Sequence, residues 1–371
     1  MTRVIERLRE LFGAPTAGRS AHGGAPSVSR MSEIVLSHAM ERSILHAANV
    51  ADFVPYAVSG RMRRATCSGV AWCRDYHLAV VNLYGGHLRV YRFHPSGVVS
   101  PARLELLHEL SDGIEFPEDV AVSPDGNLLA VSHSLSKEFG VSLFRMDATS
   151  LAPIPAREKI RPGAEGVAFH GVSFSPDSRH LVFTEISTPG YIEVVRVASA
   201  TRERTCFIEN RLAPLKPKSV AFSHDGRFAA VTMALNAFLG SQAPATSGIV
   251  SVHRFDAANG VIDAQAVAEF KAPAIDLASM DICKFLPTAP GEPYRILVVD
   301  QGADAIPLFE FDAEDRTIAP AGVFAGGLSF PHGIDVSTDG RFVAMTNYGD
   351  DSVCIARLAP SIISAGERAT A

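Results

Sequence analysis

Apolar and polar residues alternate along most of the chain in short runs. That is the period-two pattern of strands with one face in a core. Four stretches share one grammar: "FPEDVAVSPDGNLLAVSHS", "FHGVSFSPDSRHLVFTEIS", "KPKSVAFSHDGRFAAVTMA" and "FPHGIDVSTDGRFVAMTNYGDDSVCIARL". In each, an alternating run meets a Ser-x-Asp turn, a second run follows and ends on one polar residue, and a third run comes after a loop. In "VAVSPDGNLLAVSH", Pro124, Asp125 and Gly126 supply the turn of a hairpin. "GVSLFRMD", Gly140 to Asp147, is its third strand.

Two weaker copies run from Ser68 to Phe93 and from Met280 to Phe311, making six units at a period of roughly fifty residues. A fourth, weaker strand fits between units, as in "RLELLHEL", "RERTCFIEN", "AQAVAEF" and "TIAPAGVF". Four-stranded units at this spacing predict an all-β, six-bladed β-propeller. Its domain spans 31–371 with repeats over 65–358, behind a flexible N-terminal extension over 1–30. The last unit stops after its third strand near Leu358, so the ring needs a strand from elsewhere. "FVPYAVSG", Phe53 to Gly60, is expected to supply it. "SEIVLSHAMERSILHAANV" reads either as a helix or as a strand pair, and the second choice would begin a seventh blade.

With "GIDVSTDGRFVAMTNYGDDSV" and its partners, the chain resembles YVTN-type propeller repeats and the blades of lactonase-type and gluconolactonase (regucalcin-like) propellers. The resemblance covers about Thr66 to Leu358. It is specific for fold, because the motif is a hairpin signature. The Gly-His and Trp-Asp marks of WD repeats are missing.

The composition fits this picture. The chain has 371 residues, 47% hydrophobic and 20% charged, with a net charge of −6. That is ample for a large core, and it lacks the basic face that nucleic-acid binding needs. No apolar stretch is long enough to span a membrane as a helix. Glu6, Arg7, Arg9 and Glu10 interrupt any secretory signal at the N-terminus. Cys67, Cys73, Cys206, Cys283 and Cys354 have no paired spacing and read as reduced thiols of a cytoplasmic protein.

The repeat places chemistry. The Asp-Gly turn joins strands one and two at one end of the ring. Residues leading into strand one, and those leaving strand two, therefore meet at the other end. The lead-in positions are Ser68, Glu118, His170, Lys218, Met280 and His332, and the exit positions are Asn82, His133, Glu185, Met233, Asp300 and Asn347. Strand ends meet water, so polar residues there are ordinary. Three histidines, three carboxylates and a lysine exceed what solvation needs.

Two chemistries fit these residues. Calcium wants six to eight oxygens, and Glu118, Glu185, Asp300, Asn82 and Asn347 can share in that. The arrangement resembles the gluconolactonase-type metal site, which Glu118, Asn347 and Asp300 match in kind. His133, His170 and His332 instead have the ligand types for zinc or iron. Without a metal, one of them is a general base oriented by Glu118 or Glu185. Lys218 would stabilise an anionic substrate or a developing oxyanion. No arginine occupies either set, although lactonase-type propellers are thought to use one. The catalytic candidates are thus His332, Glu118, His170 and Lys218. The metal candidates are Glu118, Glu185, Asp300, Asn347, Asn82 and His133.

No nucleophile elbow, phosphate loop, dinucleotide fingerprint or His-Glu-x-x-His motif is present. Trp72 reads as blade core. The long loop "ALNAFLGSQAPATSG" is a candidate lid, with Leu235, Phe238 and Leu239 as apolar cover. The expected partner is a small molecule at one mouth of the channel, hydrolysed as by a lactonase or esterase. The alternative is a non-catalytic scaffold for a protein partner. Neither nucleic acid nor a membrane is expected.

Overall fold

A computed structural model describes residues 40–45 and 66–358, apart from 96–101, 135, 137, 161–167, 188, 198–202, 213–214, 236–245, 274–279 and 326–327. Among the described residues the strands form six four-stranded antiparallel sheets. Blade 1 is β2 (Cys67–Trp72), β3 (His77–Asn82), β4 (His87–His94) and β5 (Arg103–Leu110). Blade 2 is β6 (Pro117–Val122), β7 (Leu128–His133), β8 (Val141–Met146) and β9 (Pro153–Ile160). Blade 3 is β10 (Phe169–Phe174), β11 (His180–Glu185), β12 (Tyr191–Arg196) and β13 (Arg204–Glu209). Blade 4 is β14 (Leu215–Phe222), β15 (Phe228–Leu235), β16 (Thr246–Asp256) and β17 (Val261–Pro273). Blade 5 is β18 (Met280–Phe285), β19 (Tyr294–Asp300), β20 (Ala305–Asp312) and β21 (Thr317–Ala325). Blade 6 is β22 (Pro331–Val336), β23 (Phe342–Asn347) and β24 (Ser352–Leu358), completed by β1 (Met40–Leu45).

The first strands of the blades touch in cyclic order: β2, β6, β10, β14, β18, β22 and back to β2. The chain is therefore a six-bladed propeller, as the repeat predicts. Burial follows from position in the ring. Every residue of β2 and β10 is buried, whereas β5, an outer strand, buries only Leu104. The core is a set of apolar clusters, each shared by two neighbouring blades, and Trp72 lies in the one between blades 6 and 1. A blade cannot bury both faces alone, so ring closure completes the core.

The closing strand comes from further upstream than expected. β1 pairs antiparallel with β24, from Met40 opposite Leu358 to Leu45 opposite Val353. This settles the helix-or-strand reading of that stretch in favour of a strand over 40–45. The expected closing segment Phe53–Gly60, the N-terminal extension and the centre of the candidate lid, with Phe238 and Leu239, lie outside the described residues. The five cysteines are free, and all but Cys206 are fully buried.

The Ser-x-Asp turns are built alike in blades 2, 3, 4 and 6. Ser123, Ser175, Ser223 and Ser337 each donate to the Asp two residues on, at 2.6 Å. The same carboxylate oxygen accepts a backbone N–H from the second residue beyond the Asp, at 3.0–3.1 Å. Gly126, Gly226 and Gly340 hold φ near 70° between these groups, where a side chain would be strained.

Each first strand carries an irregularity where it leaves the mouth, at Cys67/Val70, Pro117/Asp119, Phe169/Val172, Pro217/Ser219, Met280/Cys283 and Pro331/Ile334. Such a bulge re-aims the side chain at its centre. Second-strand hydroxyls lock it. Thr184 accepts the Gly171 N–H and donates to the Lys218 carbonyl of the next blade. Thr346 accepts from Gly333 N–H and donates to the Ser68 carbonyl. Ser132 does the same between Asp119 N–H and the His170 carbonyl, and Thr232 donates to the Asp281 carbonyl.

Two outcomes are expected. Thr346→Val keeps the shape but strands a buried N–H and a carbonyl, so it should cost about 1–3 kcal/mol in denaturant unfolding. An unchanged midpoint would remove the relay from the account. The second concerns acid. Partial burial opposes ionisation of Asp125, Asp177, Asp225 and Asp339, but the serine and backbone donors outweigh it and hold each carboxyl below its usual range. A depressed folded-state value gives stability that is present above about pH 4 and lost as pH falls below it. Replacing all four by Asn should flatten that acid limb in a urea-midpoint series against pH.

Candidate functional site

The bulges deliver one residue per blade to the channel axis: Ser68, Glu118, His170, Lys218, Asp281 and His332. Five blades contribute an ionisable group, and these groups meet. His332 Nε2 lies 3.0 Å from Glu118 Oε1 and 3.8 Å from Asp281 Oδ2. His170 Nε2 lies 3.5 Å from Glu118 Oε1 and 3.4 Å from Asp281 Oδ1. Lys218 Nζ stands 3.3 Å from His170 Nε2. The two imidazoles are 5.3 Å apart between ring centres. All five groups are buried, with exposures from 1% for Asp281 to 8% for Glu118. Ser68 takes a structural part, donating to the Pro117 carbonyl at 2.8 Å.

Neighbouring blades fix the tautomers. His170 Nδ1 faces the Lys218 carbonyl at 3.0 Å, and His332 Nδ1 faces the Ser68 carbonyl at 3.2 Å. A carbonyl only accepts, so each Nδ1 carries a hydrogen and each Nε2 points to the axis. The glycine after each histidine allows this approach. A Cβ on Gly171 would stand 2.5 Å from the Lys218 carbonyl, and one on Gly333 would stand 2.6 Å from that of Ser68.

Charge is arranged unevenly. Burial works against a proton on His332, but the carboxylates of Asp281 and Glu118 outweigh it and push its value up to about 9. Burial and the Lys218 ammonium hold His170 well below the usual histidine range. Burial raises Asp281, whose two carboxylate oxygens have no hydrogen-bond partner. One imidazole is therefore cationic and its neighbour neutral.

Above His332 is an aromatic wall. Tyr348 stacks on the His332 ring at 5.6 Å, its hydroxyl reaches that of Tyr84 at 3.4 Å, and Phe330 packs on Tyr348. Leu83, Tyr84, Phe116 and Tyr348 pack together. Phe116 and Phe330, each preceding the proline before an axial residue, have φ of 47° and 46°. Non-glycine residues are rarely held there, and such strain gathers at functional sites.

The exit positions behave differently. His133 engages the Glu115 carbonyl at 2.8 Å and Ser142 Oγ at 2.9 Å. Glu185 accepts the Ser187 N–H, and Asp300 accepts that of Ala303. Asn347 accepts from Ser329 N–H and donates to Ser352 Oγ. Asn82 donates to Cys67 Sγ at 3.2 Å. These side chains brace their own loops and strands. Of the six expected metal ligands, only Glu118 joins the axial cluster, while His332, Glu118, His170 and Lys218 are brought together. Met280 packs in the core between blades 4 and 5, and its neighbour Asp281 takes the axial place. Asp281 and the aromatic wall were not among the expected residues. The phrase x-polar-small-Val marks the axial position in "SGV", "HGV" and "KSV"; in blade 5 it is "DIC", and the cysteine disguises it.

Glu118, His170 and His332 can hold a metal, their ligand atoms lying within 4.8 Å of one another. A mixed imidazole and carboxylate set suits zinc-class ions and lacks the six or more oxygens calcium takes.

The opposite half of the channel has its own charged tier. Lys284 Nζ lies 3.5 Å from Asp335 Oδ1. They line a cavity of about 240 Å³ with Ala121, Ser173 and Ala221.

No protein-family model matches the chain, and no curated protein matches it. Solved structures do match. The chain is similar to the periplasmic gluconolactonase PpgL of Pseudomonas aeruginosa, with a TM-score of 0.55 and 22% identity over 78% of this chain and 80% of that one. It is similar to a protein from Lactobacillus plantarum, with a TM-score of 0.54 and 17% identity over 76% and 79% of the two chains. It also matches hydrazine synthase of Kuenenia stuttgartiensis, with a TM-score of 0.54 and 15% identity over 82% and 99%. At these identities the likeness is one of fold. Among the described residues, no helix is long and apolar enough to cross a membrane.

The tautomers give a direct check. Nitrogen-15 spectra should show slowly exchanging Nδ1–H protons on His170 and His332, bonded to backbone carbonyls. Nδ1 protons in fast exchange with solvent would contradict the assigned hydrogen bonds.

Proposed function

We propose that the chain is a small-molecule hydrolase acting on cyclic or linear carboxylic esters at the axial cluster. The observation that supports this best is the convergence of two histidines, two carboxylates and a lysine from five blades in one buried ring. Water attacks the ester carbonyl carbon and forms a C–O bond. The proton that water loses passes to the group formed by His170, His332, Glu118 and Asp281. Lys218 faces the developing oxyanion, where a fixed positive charge in a dry site stabilises the transition state. The carbonyl then re-forms, the C–O bond to the alcohol breaks, and the leaving alkoxide takes the proton. The wall of Phe116, Tyr84, Phe330 and Tyr348 gives the substrate an apolar face. Lactones are the first substrates to try, because a fold neighbour is named as a gluconolactonase.

A second reading rests on the outer surface. Leu106, Ile154, Phe207 and Val261 are 36–49% exposed on the outer strands of four successive blades. A protein partner lying along the rim would cover them, with the axial cluster serving stability alone.

A panel of lactones and esters separates the two. Turnover is expected, with kcat falling about 10²–10³-fold in Lys218→Met while Leu106→Lys keeps wild-type activity. A folded protein inert across the panel would leave the scaffold reading in place.

A further inference from the structure

We infer that the axial cluster is a site for a zinc-class divalent transition metal, held by His170 Nε2, His332 Nε2 and Glu118, with Asp281 beside the open fourth position. This deepens the hydrolytic reading of the same site, on which its chemical use rests. Three independent features carry it.

The first is spacing. Two ligands on a tetrahedral ion, each bonded at about 2.0–2.1 Å, stand about 3.4 Å apart. Glu118 Oε1 stands 3.0 Å from His332 Nε2 and 3.5 Å from His170 Nε2, and the three ligand atoms lie within 4.8 Å of one another. The ring therefore surrounds a space of the right size and needs only small adjustments.

The second is Asp281. It is 1% exposed, and both of its oxygens lack a hydrogen-bond donor. Burying a carboxylate in that condition is costly. The histidines beside it do not remedy this, standing 3.4 and 3.8 Å away without bonding geometry. An ion held by the other three residues keeps an open fourth position, and a water there gives this carboxylate its missing donor.

The third is the outer support. Metal-bound histidines typically donate their other N–H to a carbonyl or carboxylate, which sets the tautomer and the ring direction. Both histidines are held this way by the next blade, through the Lys218 and Ser68 carbonyls. Those carbonyls are in turn fixed by Thr184 and Thr346.

The charges also agree. Two carboxylates offset a divalent ion. A metal on His170 Nε2 displaces the Lys218 ammonium that stands 3.3 Å from it, which is then free to face the developing oxyanion. When bound, such an ion lowers the pKa of a coordinated water to about 7, which is the function the hydrolytic reading asks of this ring.

The test uses the full-length protein. After chelator treatment and dialysis, zinc and cobalt(II) are titrated by calorimetry, and the cobalt form is read by visible absorption. One ion per chain is expected, with the intense d–d bands of a tetrahedral site, while calcium gives no heat. Asp281→Asn and His170→Gln should each weaken cobalt binding by at least about 100-fold, and circular dichroism checks that each variant folds. Glu185→Gln and Asp300→Asn should bind as wild type. A folded wild-type protein that takes up no stoichiometric zinc or cobalt overturns the inference, as does wild-type affinity in both Asp281→Asn and His170→Gln. Ester turnover is measured in parallel on the metal-free protein. Activity there removes the metal's part in hydrolysis and leaves the hydrolase standing; a bound metal with no turnover on any ester leaves the metal site and overturns the hydrolase.

Discussion

The hydrogen bond from a second-strand hydroxyl to the next blade's bulge carbonyl is the contact on which the centre of the molecule depends. Ser132, Thr184, Thr232 and Thr346 make it in four blades. It joins neighbouring sheets at their innermost points. It also fixes the carbonyls that orient His170 and His332. Without it the bulges could relax, and the axial side chains would lose their common direction. Packing between blades supplies most of the cohesion, through clusters such as that of Phe228, Phe309 and Phe311 between blades 4 and 5. The hydroxyl relay adds aim to that cohesion.

Concentrating charge on the axis has an energetic cost that the fold meets by balance. Glu118 and Asp281 face Lys218 and a raised His332, so the buried ring is near neutrality. A buried charge without a partner would cost several kcal/mol. The same logic recurs at the other mouth, where Lys284 meets Asp335. In the axial ring the remaining blade carries Ser68, and at the other mouth Ala121, Ser173 and Ala221 line the cavity beside Lys284 and Asp335. The six-fold scaffold is thus deliberately unsymmetrical along its axis, which repeats alone do not require.

Much of this was legible in the chain, because hairpin grammar and period depend on local residues. The turn serines and aspartates, the six units and the axial run Glu118, His170, Lys218 and His332 all follow from spacing. Asp281 was missed because blade 5 reads "DIC" where other blades follow the axial residue with a small residue and Val, so the unit was aligned one residue early, on Met280. The exit residues misled for a different reason. A polar residue at a strand end can turn to the axis or back to its own loop, and only the cross-blade contacts decide. His133, Glu185 and Asp300 turned back. The closing strand could not be chosen from pattern, since a lone strand without a hairpin partner carries little signal. Phe116 and Phe330 stand in the repeated Phe-Pro phrase, but their left-handed backbone has no mark in sequence.

Closure by β1 has a consequence for biosynthesis. Among the described strands, β1 is made before all the others and its sheet neighbour β24 after them. Blades 1 to 5 can assemble in order as they emerge, each on its predecessor. Met40 to Leu45 must wait until five blades have been made before it has anything to pair with, and β24 must find that strand rather than another copy's. Nascent chains crowded on one messenger therefore share an exposed edge at the final step, and strand exchange between them is the error this topology invites.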